Sequence, residues 1–300
     1  MISSRIKVGI NPLTWTNDDM PELGAETPLE TCLKETKQAG YAGIELGTKF
    51  PRDFKVLKPI LSGHGLKLVS GWYSTNLLER SVEAEMEALE SHLHLLYSMG
   101  CTALVLCETT RAVHGDRKCA LSKRPTIDEA QWKRLTEGLN RIGDHVAERG
   151  IQLAYHHHMG TVIQTQGEID TLMERTGPQV SLLLDTGHLT FAGGDPVSAA
   201  KKHGGRVAHV HAKDVRKPVL EKVLKADLPF LEAVLEGVFT VPGDGCVDYP
   251  AVFKELAAHH YQGWVVVEAE QDPKKANPLT YATMGFKNLT ASLKAGGLVS

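Results

Sequence analysis

At 300 residues, with 42% apolar and 23% charged side chains, the chain has enough sequence for one large globular unit, and α/β barrels of this size are common. Its 33 basic residues against 36 acidic ones give a formal charge of −3, which argues against a dedicated nucleic-acid binder. Five scattered cysteines with no CxxC pair argue against a disulfide framework or a zinc knuckle, and no apolar run reaches the roughly 18 residues of a membrane span.

The N-terminal stretch MISSRIKVGINP lacks the charged-then-apolar pattern of a secretory signal, so a soluble cytoplasmic protein with reduced thiols is expected. Eight short apolar runs follow in chain order: Ile6–Asn11, Ala42–Leu46, Lys67–Gly71, Ala103–Cys107, Gln152–His156, Val180–Asp185, Val207–His211 and Trp264–Glu268. They are continuously apolar rather than alternating, as strands covered on both faces require, and so predict a parallel sheet. Amphipathic stretches lie between them. In one, Val82, Met86, Leu89, Leu93 and Leu96 step by four and three along a helix face that ends at Gly100. Further helices are predicted at 28–39, 127–148, 166–175, 249–260 and 280–294. Glycines 40, 65, 100, 150 and 263 recur at helix exits just before strands.

Eight βα units close naturally into a (β/α)₈ TIM barrel, the expected fold class, with a doubly wound open sheet as the competing architecture. The barrel is favoured because chemically active residues sit at the ends of many different strands. A single domain over residues 1–300 is expected, with insertions at 109–126 and 214–248.

Four consecutive strands end in ligand-type residues: Tyr-His156-His157-His158, Leu-Asp185-Thr-Gly-His188, His209-Val-His211-Ala-Lys213-Asp214, and Val-Glu268-Ala-Glu270. In a barrel these ends converge on one mouth. Carboxylates and imidazoles gathered there are costly unless a cation neutralises them. A divalent metal held by Asp185, His211 and Glu268 follows, from the set Mn²⁺, Co²⁺, Fe²⁺ or Zn²⁺ that suits such donors. Asp185, standing before Thr-Gly, also reads as a helix N-cap. Of His209 and His211, one is taken to face the mouth and the other to pack under a helix. The remaining strand ends supply Asn11, Trp15, Glu45, Lys49 and Trp72. The two tryptophans are read as an apolar wall for a carbon skeleton, and Lys49 and Lys213 as binders of hydroxyls or a carbonyl.

The segments Asp185-Thr-Gly-His188, His211-Ala-Lys-Asp214 and Gly-Trp-Val-Val-Val-Glu268 resemble the xylose-isomerase-like barrel superfamily. Gly9 to Asp19, Gly-Thr-Lys-Phe-Pro51, His-His-His-Met-Gly-Thr161, His209 to Arg216 and Glu-Ala-Glu-Gln-Asp-Pro273 narrow the likeness to its inosose dehydratase family, over essentially the whole chain. That resemblance implies metal-dependent loss of water from 2-keto-myo-inositol (scyllo-inosose) in inositol catabolism, giving a trihydroxycyclohexane-dione, with Mn²⁺ or Co²⁺ as cofactor. It places Glu268 as ligand and base, and His188, His158 and Lys213 as acids or hydroxyl binders. Asn11, Trp15, Glu45, Lys49, Trp72 and Arg216 become substrate contacts. Sugar epimerases of the superfamily carry a glutamate at the end of strand five as ligand and second base. Here His156 aligns with it, which makes His156 the fourth ligand, with His158 as the other choice. It also counts against the alternative of a keto-sugar isomerase or epimerase. The expected partner is a small polyol ketone, with no nucleic acid and no membrane; a homo-oligomer is left open.

Overall fold

The computed structural model describes residues 5–299; residues 1–4 and 300, which fall within the expected single domain, lie outside the described residues. Eight parallel strands form a closed barrel: β1 (Ile6–Ile10), β2 (Gly43–Leu46), β3 (Lys67–Thr75), β4 (Ala103–Glu108), β5 (Gln152–His156), β6 (Val180–Asp185), β7 (Val207–Ala212) and β8 (Gly263–Val267). Each pairs with its chain neighbours, and β8 returns to β1 with Ile6 opposite Gly263 and Ile10 opposite Val267. The barrel is the predicted (β/α)₈ architecture, and closure excludes the open doubly wound sheet. Predicted strand positions agree closely, except that β3 runs four residues further, to Thr75.

The helices form because their apolar stripes must be covered. In the Val82–Met99 helix, Leu89, Leu93 and Leu96 are buried against the sheet. Burying each such side chain is worth about 1.5–3 kcal/mol relative to leaving it in water. Ser81 caps this helix by accepting from the Ala84 N–H, and Gly100 ends it at φ 74°, a left-handed conformation that disfavours other residues. Sequence reading missed a helix at Phe54–Gly63, whose internal Pro59 reads as a breaker. It also missed four short helices: Thr186–Phe191, Pro196–His203, Lys217–Ala226 and Phe230–Leu235.

The two long segments after β4 and β7 meet over the C-terminal mouth. Ala120 bridges to Pro229, the Ser122 hydroxyl donates to Asp227 at 2.5 Å, and Arg117 pairs with Glu232 at 2.7 Å. A separate apolar cluster that includes Met20, Leu121, Met159, Phe191, Phe230 and Phe239 lies beneath these contacts. A two-stranded antiparallel ribbon, Asp214–Val215 against Phe239–Thr240, anchors the second segment. Among the described residues, no helix is long and apolar enough to cross a membrane.

Candidate metal centre and active site

Strand register sets the site. Asp185 at the end of β6 lies directly beside His211 of β7, while β5 presents His156 opposite Leu183. Glu268 follows β8 and is tied to β7 by its N–H to the Ala212 carbonyl, 3.3 Å. Asp185 takes the N-cap role that its sequence position suggested. Its Oδ1 caps the Thr186–Phe191 helix by accepting from the His188 N–H at 2.7 Å. Its Oδ2 is buried with no hydrogen-bond partner, 3.5 Å from both His156 Nε2 and His211 Nδ1. An orphaned buried carboxylate oxygen is expensive. His156, Asp185, His211 and Glu268 each offer a ligand atom, and these atoms lie within 4.8 Å of one another. The residues present therefore fit a divalent metal ion: two imidazoles and two carboxylates, with Asp185 Oδ2 lacking a hydrogen-bond partner and only the Lys213 ammonium, 3.8 Å away, as a further counter-charge.

The surroundings orient this group. His211 turns Nδ1 toward Glu268 (3.0 Å) and Nε2 toward Glu45 (3.2 Å). That is how a ligating imidazole is usually braced, with the second ring nitrogen donating to a carboxylate. Glu45 also accepts from the Ser70 hydroxyl at 2.5 Å and lies 2.9 Å from His209 Nε2. The Asn11 amide donates to both Glu45 (2.7 Å) and Glu268 (2.9 Å). The Lys213 ammonium donates to Glu268 and Glu270 and sits 2.9 Å from His188 Nε2.

These contacts set the protonation states. Burial pushes the Glu268 carboxyl up, but His211 and Lys213 outweigh it and hold it down at about 2. Asp185 is likewise held well below its usual range against burial, chiefly by Lys213. Burial disfavours a charged His211, yet Glu268 and Glu45 raise it well above the ordinary imidazole value. Burial keeps His156, His158 and His188 neutral, and pushes Glu270 up to about 7 against the pull of Lys213.

A cavity of about 310 Å³ opens above the centre. Of the sequence-predicted residues it brings Asn11, Glu45, Trp72, His156, His158, His211 and Glu268 to its walls. Trp72 packs its ring edgewise on His156 and His158, with centroids 5.3 and 5.6 Å away. Four expectations need correction. Trp15 is a core residue, 1% exposed, with its indole N–H donating to Glu35. The Lys49 ammonium is spent on the carbonyls of Gly24, Ala25 and Thr27 and clamps that loop. Arg216 ties the ribbon together through Asp244 (2.7 Å) and the carbonyls of Gly237 and Phe239. His209 does not pack under a helix: residues two apart on a strand share a face, so His209 and His211 both point inward to Glu45. His188 and Lys213 are fully buried and lie behind the cavity wall. The neutral His158 places Nδ1 2.8 Å from the Met159 carbonyl, which leaves Nε2 as an acceptor rather than an acid.

Sequence reading gave no role to several wall residues: Asp18, Thr48, Arg52, Ser74, His114 and Glu270. Glu270 was legible in principle, because it stands two residues after Glu268. His114 comes from the 109–126 segment, where no periodicity marks which side chains face inward.

The chain matches the family model described as xylose isomerase-like TIM barrel over residues 33–288. It is 51% identical over 292 residues to the rhizopine catabolism protein MocC of Rhizobium meliloti, covering 97% of this chain and 90% of that one. It is 50% identical over 281 residues to the inosose dehydratase of Geobacillus thermodenitrificans, covering 93% and 94%. Solved structures with the same fold include an L-ribulose 3-epimerase (TM-score 0.70, 17% identity, covering 98% of this chain and 96% of that one). Another is the IolI protein with a bound zinc atom (TM-score 0.68, 16% identity, covering 98% and 99%). On these likenesses the chain belongs to the xylose isomerase-like TIM-barrel family, among relatives named inosose dehydratase and rhizopine catabolism protein.

Proposed function

We propose that this protein is an inosose dehydratase, a hydro-lyase of inositol catabolism that removes water from 2-keto-myo-inositol and yields a trihydroxycyclohexane-1,2-dione. The observation that carries this reading is the 50% identity, over 93% of the chain, to a protein named inosose dehydratase. We assign one divalent ion, Mn²⁺ or Co²⁺, to His156, Asp185, His211 and Glu268, a donor set with no sulfur. When bound, such an ion supplies Lewis-acid polarisation of a ketone and its neighbouring hydroxyl.

The chain's own residues account for the rest. The elimination breaks a C–H bond next to the ketone and the C–O bond of the hydroxyl one carbon further. The carbon–carbon double bond left behind is an enol that tautomerises to the dione. One proton must be taken and one delivered to the departing hydroxyl, so that water leaves. Glu268, an ionised carboxylate at the cavity, is the base in this scheme. Glu270, a cavity carboxyl outside the four-residue group that burial pushes up to about 7, takes the place of His158 as the donor to the hydroxyl. Trp72 covers one side of the ring, and Asn11 holds the Glu45 and Glu268 carboxylates in register. His156 stands where a second basic carboxylate would be needed to return a proton to the opposite face of the carbon. Dehydration is thereby favoured over epimerisation.

The test is incubation of the metal-loaded protein with inosose. New dione absorbance with loss of one water supports the reading; unchanged mass with altered stereochemistry would favour an epimerase. We also propose that residues 1–300 form one cytoplasmic domain, with 109–126 and 214–248 as insertions that shape the mouth.

A further inference from the structure

Beside the four-residue group lies a second cluster of ligand type. His158, His188 and Glu270 are all buried, and one ligand atom of each lies within 4.8 Å of the others. A protein cation already engages this cluster. Lys213 Nζ is 2.7 Å from Glu270 Oε2, 2.9 Å from His188 Nε2 and 2.5 Å from Glu268 Oε1. The side chain is fully buried, which for an ammonium is costly unless it is paired and hydrogen-bonded. We propose that Lys213 is a resident counter-ion occupying a latent second metal position formed by His158, His188 and Glu270, and that it holds the centre to a single divalent ion.

The fold is built around this placement. A Cβ at Gly187 would lie 2.4 Å from Lys213 Cγ, 2.7 Å from Cβ and 2.8 Å from Cδ, so the glycine of Asp-Thr-Gly-His makes room for the lysine stem. The Thr186 hydroxyl fastens the lysine backbone by donating to the Lys213 carbonyl at 2.8 Å. The ring of Phe239 lies under the ammonium, 4.7 Å to its centroid. The ammonium donates to the same kinds of atom, an imidazole nitrogen and a carboxylate oxygen, that a divalent ion accepts. Lys213 Nζ also lies 3.8 Å from Asp185 Oδ2, so three carboxyl groups face the one ammonium. Lys213 acts through these groups and is a positioning residue: it does not reach the cavity wall.

The inference rests on the metal reading above, and the experiment separates the two. Mn²⁺ bound per chain is measured by equilibrium dialysis with elemental analysis for wild type, Lys213→Met, Lys213→Gln and Lys213→Arg, and Mn²⁺ EPR reports spin coupling. The expected result is one ion in wild type and Lys213→Arg, and two in the Met and Gln variants with a spin-coupled signal. One ion in both neutral variants, or two in wild type, would overturn the inference while leaving the metal reading intact. No ion in wild type would overturn both. Should the neutral variants not fold, anomalous diffraction from wild-type crystals soaked in Mn²⁺ decides. A single peak at His156–Asp185–His211–Glu268, with Lys213 Nζ still between Glu270 and His188, supports the inference. A peak at His158–His188–Glu270 with Lys213 displaced refutes it.

Discussion

Replacing Glu45 by glutamine tests whether this residue orients a ligand or binds substrate. The Glu45 Oε1 atom faces the Ser70 hydroxyl at 2.5 Å, His209 at 2.9 Å and His211 at 3.2 Å, and Oε2 faces the Asn11 amide at 2.7 Å. A glutamine keeps the volume but removes the charge that His211 Nε2–H donates to. It also turns an N–H₂ group toward the Asn11 amide nitrogen, which is itself a donor. Losing a partner of this kind costs about 10- to 100-fold in metal affinity, or about 1.4–2.7 kcal/mol. The assay is Mn²⁺ titration against a chelator, with turnover measured at saturating metal. The expected outcome is weaker metal binding and a KM for inosose that changes little once metal is saturating. An unchanged metal affinity with a raised KM would show that Glu45 contacts substrate instead, and would refute the orienting role.

Asp185→Asn should lose bound metal and turnover yet fold normally, because asparagine caps a helix about as well as aspartate; an unfolding free energy within about 1 kcal/mol of wild type, alongside absent metal, is the expected pair of results. His156→Glu places a third carboxylate beside Asp185 and Glu268. It should lower dehydration by at least about tenfold and permit deuterium exchange at the α-carbon without water loss, as read by NMR in deuterated buffer. Metal-free protein should lose stability steeply in mild acid. His156, His157, His158, His188 and His209 have folded pKa values pressed below the ordinary 6.5, His157 to about 3, so unfolding takes up protons as pH falls below 6.5. Glu108 and Glu270, raised to about 7, oppose this by releasing protons on unfolding. Lowered imidazoles, which also include His92 and His114, outnumber the raised carboxyls, so unfolding takes up protons on balance and stability falls as pH drops below about 6.5, checked by urea denaturation with chelator at several pH values.

The barrel was readable because buried parallel strands leave continuous apolar runs, and because helix-exit glycines repeat with the βα period. The convergence of Asp185, His211 and Glu268 was readable for a related reason: a strand end is a place in sequence as well as in space. What failed were residues whose side chains had a choice of direction. Trp15, Lys49 and Arg216 sit near strand ends but turn to the core, to a loop of bare carbonyls and to the ribbon. Local sequence does not record those acceptors, which lie 20 or more residues away. His114 and Arg52 reach the cavity from irregular segments that have no periodic face to betray them.

The most direct test is stopped-flow absorbance with metal-stripped protein and inosose, before and after addition of one equivalent of Mn²⁺. Formation of the dione only after the metal is added, and abolished in Asp185→Asn, is the predicted result. Dione formation at an undiminished rate in the metal-free protein, or a metal-loaded protein that changes stereochemistry without losing water, would contradict it.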